Sequence, residues 1–153
     1  MVNNIGTLRK ILESRISNEN IEKILTTAGK KVHGDIVALA PVDTGAYASS
    51  IQLSEVVHEG SYHYIKVFTN LDSGWKNVPL GCLLEWGTGI KGESTNTFEH
   101  GFPYRQTPWV YFNEKLGHFV FTYGNVAKPH FAPGLYNNES YFKKVIKEGV
   151  AHD

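Results

Sequence analysis

Pro41 is the residue that most restricts this fold, because it closes a long apolar stripe and makes the chain change direction behind it. From Asn18 to Leu39 the apolar residues fall at Ile21, Ile24, Leu25, Ala28, Val32, Ile36 and Leu39, in the steps of three and four that line one face of a helix. Ser17 or Asn18 stands where a side-chain oxygen caps such a helix. Lys23, Lys30, Lys31 and Asp35 lie largely off the stripe, so one side covers a core and the other meets water or another subunit. A proline disfavours helical geometry in the residue before it, so the helix ends at Ala40. Asp43 then stands ahead of Ala46 to Ser50 and reads as the cap of a second, short helix.

Beyond that point the period changes. Ile51 to Val57 and Tyr62 to Thr69 are rich in β-branched and aromatic residues and flank Glu59-Gly60-Ser61, the pattern of a hairpin. Leu71 to Gly74 is turn material, and a short helical piece from Leu80 to Trp86 is stopped by Gly87. Gly87 to Thr107 is about twenty residues dense in Gly, Ser, Thr and Asn with no sustained period, so a long, mobile loop is expected there. Trp109 to Phe112 and His118 to Tyr123 flank Asn113 to Gly117 as a second hairpin. Leu135, Phe142, Val145, Ile146 and Val150 mark a closing amphipathic helix, with Pro133 in its first turn and Lys143, Lys144 and Lys147 late in it. The order predicts a single α+β domain over residues 1–153, with a long N-terminal helix and a C-terminal helix packed on a small antiparallel β-sheet.

With 15 basic and 15 acidic residues, the chain carries no bulk field for nucleic acid or an anionic membrane. Cys82 is the only cysteine, which excludes an internal disulfide and reads as a small buried hydrophobe in a chain folded in a reducing compartment. No apolar run approaches the roughly 20 residues that span a bilayer, and Met1 to Arg15 lacks the apolar centre of a secretory signal.

Several motifs touch on chemistry without completing it. Asp43-Thr44-Gly45 is the triplet that presents a catalytic carboxylate in retropepsin-type aspartic proteases, which need that Asp at the end of a buried strand so that two carboxylates share a proton. Here it follows a helix and a proline, and only Tyr123-Gly124-Asn125 offers the later Gly-Asn element. A protease dimer using Asp43 is the alternative function of a different class. Gly87 to Ser94 comes within one residue of a phosphate-binding loop, but Glu93 stands where the lysine belongs. The seven histidines form no pair or cluster at zinc-ligand spacing, and the serines have no nucleophile-elbow context. Asn138-Glu139-Ser140 matches a glycosylation acceptor within the last helix. No residue is assigned as catalytic, cofactor-binding or metal-ligating.

Three landmarks in this order carry a resemblance: Ala40-Pro41-Val42-Asp43-Thr44-Gly45 followed by a short helix and Ser50-Ile51, then Glu85-Trp86-Gly87-Thr88-Gly89, then Pro129-His130-Phe131-Ala132-Pro133 before the last helix. The chain resembles the minor structural proteins of tailed bacteriophages and prophages, the tail-component or neck-protein family typified by a lambdoid phage. The third landmark keeps the family's proline spacing but carries His130 where Phe is usual. The resemblance implies a non-enzymatic virion protein at the head–tail junction or tail terminus, with tail terminator or minor tail protein as a near alternative. It also implies a homo-oligomeric ring, made in the bacterial host cytoplasm, that contacts other neck or tail proteins. DNA would pass through it without sequence-specific binding, and no cofactor or membrane is called for. Pro41, Asp43, Thr44, Gly45, Glu85, Trp86, Gly87, Thr88, Gly89, Pro129, Phe131 and Pro133 are the expected structural and assembly residues.

Overall fold

A computed structural model describes residues 17–43, 45–60, 62–74, 78–92 and 107–151. Helix α1, Asn18–Leu39, is capped by Ser17, whose Oγ accepts the Asn20 N–H at 3.2 Å. It ends as Pro41 requires, with Ala40 in extended geometry (φ −60°, ψ 138°). Val32, Ile36 and Ala40 are buried and form the core with Tyr47 and Ile51, whereas Leu39, at 47% exposure, leaves the stripe. Ile21, Ile24 and Leu25, at the amino-terminal end of the stripe, are only half-buried.

Helix α2, Ala46–Ser50, is entered through Gly45, which holds a left-handed φ of 78° at the N-cap position and makes no side-chain cap bond. This corrects the expectation that Asp43 caps it. A cap side chain reaches donors two or three residues ahead, and the turn at Gly45 places exposed Asp43 two residues too early.

The first predicted hairpin forms as two ladders in one long hairpin. β1, Ile51–Leu53, pairs antiparallel with β4, Val67–Thr69, and β2, Val57–Glu59, pairs with β3, Tyr62–Tyr64. Between the ladders, residues 54–56 of the outgoing strand face only residues 65–66 of the return, so one extra residue bulges. Ser54 repairs the gap. Its Oγ accepts the Lys66 N–H at 2.9 Å while its own N–H bonds the Lys66 carbonyl at 2.8 Å. The sheet expected from sequence is thereby divided, with a third ladder between β5, Trp109–Asn113, and β6, His118–Thr122.

Helix α3, Leu80–Trp86, stops at Gly87 as predicted, and a single 3₁₀ turn follows over Gly89–Lys91. Residues 93–106, most of the expected long loop, lie outside the described residues, as does Thr44. The closing helix is two helices, α4, Phe131–Tyr136, and α5, Glu139–Ala151. Asn138 lies at the break, buried, with its side-chain N–H groups donating to the Gly134 carbonyl at 2.8 Å and to Asp35 of α1 at 2.7 Å. Hydrogen bonds from the Lys31 ammonium and then from Asn138 hold the Asp35 carboxyl below its ordinary range. The break lets α4 and α5 each lie against α1, and it engages the Asn138 amide internally.

Close approach of α4 to α1 depends on Gly134. A Cβ there would stand 2.4 Å from Ile36 Cγ1 and 3.2 Å from the Ile36 backbone, which cannot rotate away. Alanine is favoured over glycine in a helix by about 1 kcal/mol, yet overpacking costs about 1–3 kcal/mol. Gly134→Ala is therefore expected to destabilise the fold by about 1–2 kcal/mol in chemical denaturation, whereas Gly34→Ala, on α1 with open space around it, is expected to stabilise it.

Candidate functional site

The three sequence landmarks meet at one buried carboxylate. Glu85 belongs to α3 and is 6% exposed, a position where an ionisable side chain needs full hydrogen-bond compensation. Its compensation comes from the start of α4. Oε2 accepts the N–H of His130 at 2.8 Å and of Phe131 at 2.9 Å, and Oε1 accepts that of Ala132 at 2.9 Å. The next residue, Pro133, has no N–H, and the Gly134 N–H already bonds the His130 carbonyl at 3.0 Å. Every donor of the first turn is thus either satisfied or absent. The placement of Pro133 after Phe131 and Ala132 follows from this, and the partial positive charge of the helix start favours the carboxylate further.

His130, one of the residues at which the third landmark departs from the expected pattern, is fully buried beside that carboxylate. Its Nδ1 lies 2.8 Å from the Lys128 carbonyl oxygen and 3.1 Å from Glu85 Oε2, both acceptors. Nδ1 is therefore assigned the hydrogen, which leaves Nε2 to accept from the Tyr47 hydroxyl at 2.6 Å in the neutral ring. Tyr47 comes from α2, immediately behind the first landmark, and its ring meets that of His130 edge-on at 5.4 Å. Burial, and then the nearby Glu85 charge, raise the Tyr47 hydroxyl well above the ordinary tyrosine range. The same two causes raise the Cys82 thiol, which is half-buried and not the fully buried hydrophobe expected.

Gly87-Thr88-Gly89 supplies the second side of the junction as backbone. The Thr88 N–H bonds the Asn125 carbonyl at 2.9 Å, the Asn125 N–H returns to the Thr88 carbonyl at 3.1 Å, and the Ile90 N–H bonds the Tyr123 carbonyl at 2.9 Å. Both glycines have positive φ, and a Cβ on Gly87 or Gly89 would stand 2.5 Å from the Asn125 carbonyl oxygen or 2.3 Å from that of Tyr123. The Gly-Thr-Gly spacing lets two chain segments lie backbone to backbone and sets the root of the β5–β6 hairpin.

The remaining motif residues divide by exposure. Trp86, Thr88 and Pro133 are half-buried, Phe131 packs on the core, and Pro129 is exposed. Pro41, Val42 and Asp43 line a cleft of about 710 Å³ with Leu84, Lys91 and Lys128. Asp43 stands between two helices and not at the end of a buried strand, from which an aspartic protease presents its carboxylate. Among the described residues no three His, Cys, Asp or Glu side chains gather as a metal site. Sequence reading missed one histidine pair: His58 and His63 are register partners with Nδ1 atoms 2.6 Å apart, and His58 Nε2 lies 2.9 Å from Glu22. Their five-residue spacing across a two-residue loop was the available signal.

The family model described as "Bacteriophage HK97-gp10, putative tail-component" matches residues 5–87. That is more than half of the 153 residues. The chain belongs to the HK97-gp10-like family. No curated protein and no solved structure matches it. The family match includes Pro41, Asp43, Thr44, Gly45, Glu85, Trp86 and Gly87. Thr88, Gly89, Pro129, Phe131 and Pro133 lie beyond it, and of these Phe131 bonds back to the family segment through its N–H to Glu85.

Two measurements test the junction. Glu85→Ala strands three donors that share one acceptor group, and is expected to cost about 3–5 kcal/mol in chemical denaturation. Glu85→Gln, which keeps one acceptor oxygen, is expected to cost less. For Tyr47 the folded pKa lies above the unfolded value, so its contribution is complete below about pH 10 and is lost as pH rises from there towards the folded value. Wild type should therefore lose stability across that alkaline range more steeply than Tyr47→Phe, read as denaturation midpoints against pH.

Proposed function

We propose that this protein is a non-enzymatic, ring-forming neck or tail-completion component of a tailed-phage or prophage particle, placed at the head–tail junction or tail terminus. The observation that carries the reading is how the landmark residues are used within a tail-component family member. Glu85 spends its oxygens on three backbone donors, and Gly87 and Gly89 bring two segments of main chain together. These groups hold a scaffold and present no reactive atom to a substrate. The formal net charge of zero suits a channel through which DNA slides, since clustered phosphate contacts would add affinity and hold it. Three two-stranded ladders leave strand edges that neighbouring proteins can extend. On this reading the exposed motif residues Asp43 and Pro129 belong to the face that meets other particle proteins.

Deleting the coding sequence is expected to leave DNA-filled heads and separate tails that fail to join, or tails of abnormal length, with packaging intact. Mass spectrometry of purified wild-type virions should find the chain at a small fixed copy number. Infectious particles formed without it, or its absence from virions, would overturn the proposal.

A further inference from the structure

The β5–β6 hairpin is apolar where a solvated hairpin is polar. Its register sets Val110 opposite Phe121 and Phe112 opposite Phe119, so these four share one face. Their exposures are 57, 57, 52 and 71%, and the Phe112 and Phe119 rings pack only edge-on against each other, 5.3 Å apart. Leu116 at the tip and Tyr123 at the base extend the exposed surface. With about 150–250 Å² per aromatic side chain and roughly half of each uncovered, the hairpin shows on the order of 500 Å² of apolar surface. That is towards the upper end of the roughly 300–600 Å² of the largest apolar patch on a monomer, and patches of this size often serve in binding.

The same subunit carries an apolar groove of about 700 Å³ between α1, α4, α5 and β4. Ile24, Ile65, Leu135, Phe142 and Ile146 line it, and Lys66 is its one charged lining residue. The amino-terminal half of the α1 stripe is half-buried because this groove is open. Every lining residue lies at or before 68 or at or after 131, so the groove shares none with the hairpin at 109–122.

We propose that the β5–β6 hairpin of one subunit docks in the α1–α4–α5 groove of the next copy of this chain. This rests on the ring reading and names the contact that builds the ring. The occupant is a second copy because each copy offers both halves of one match, an apolar ridge and an apolar groove of few charges, and subunits of zero net charge do not repel. The two surfaces are different, so the contact is heterologous, and any open chain of subunits keeps one bare hairpin and one bare groove at its ends. Only closure covers both. Roughly 500 Å² on each side places a single contact at the weak end of specific interfaces, whereas a closed ring holds every subunit twice.

The test uses two variants of the full chain. Phe112→Thr/Phe119→Thr removes the ridge while keeping strand propensity, and Leu135→Gln/Ile146→Gln alters the groove at side chains already about half-exposed. Circular dichroism and thermal unfolding check that both stay folded. In sedimentation velocity each variant alone should lose at least tenfold in self-association relative to wild type. An equimolar mixture should form 1:1 heterodimers and nothing larger, because one intact ridge and one intact groove remain. A second measurement does not depend on those substitutions: in a Cys82→Ala background, Phe119→Cys copies mixed with Ile146→Cys copies should form a disulfide-linked heterodimer under mild oxidation. Undiminished self-association of either variant, or a mixture without heterodimers or cross-link, overturns the contact. If either variant still assembles into rings in particles, the contact is wrong and the ring reading stands. A wild type that is monomeric and absent from virions sinks both.

Discussion

A carboxylate that is withdrawn from water must find donors, and in this fold the nearest free donors are those at the start of a helix. Glu85 lies on a seven-residue helix that could not hold its position alone, and α4 is six residues long with no side-chain cap of its own. Each supplies what the other lacks. Short helices are marginal in water because nucleation is costly, so the two stabilise one another through bonds that neither forms in isolation. Tyr47 and His130 close the junction on the side of α2, and no buried side-chain nitrogen or oxygen among the described residues is left without a partner.

The α1 helix was legible because each of its signals is local: a stripe at helical period, Ser17 before it and Pro41 behind it. Both hairpins were legible for the same reason, and so was the stop at Gly87. What escaped sequence reading depends on residues far apart in the chain. Nothing near Asn138 announces that its amide spans α1 and α4, so two helices read as one. The division of the first hairpin follows from a one-residue excess against the return strand, which no single strand displays. Asp43 misled because a capping residue and a residue two places before a left-handed glycine look alike in sequence. At the site, the landmarks were found as words whose grammar was missing. Their meeting at Glu85 needed the fold, and His130, noted only as a departure, is the buried link between Glu85 and Tyr47.

The use of the landmarks as scaffold separates the residues that the junction fixes from those it leaves free. Residues that touch the junction are fixed by hydrogen-bond geometry and by main-chain contact at Gly87 and Gly89. The hairpin rooted on that contact is free to change its exposed face without disturbing the core, since its strands pair with each other. A rigid root with a variable projection lets one architecture meet different neighbours.

The separations that bind this junction also govern when it can form. The Tyr47–His130 bond spans 83 residues and the Asn138–Asp35 bond 103, so the covering of the first long helix, begun by Tyr47 and Ile51, is completed only by the last part of the chain. Contacts of that reach fold slowly, because loop closure is costly before any contact offsets it. During synthesis Tyr47 and Ile51 can reach α1 early, but the part of Ile36 that packs on Gly134 stays uncovered until α4 has emerged. A growing chain therefore shows part of the apolar face of α1 for most of its translation, open to aggregation and to chaperone capture, and the fold is completed only once nearly all of the chain has been made.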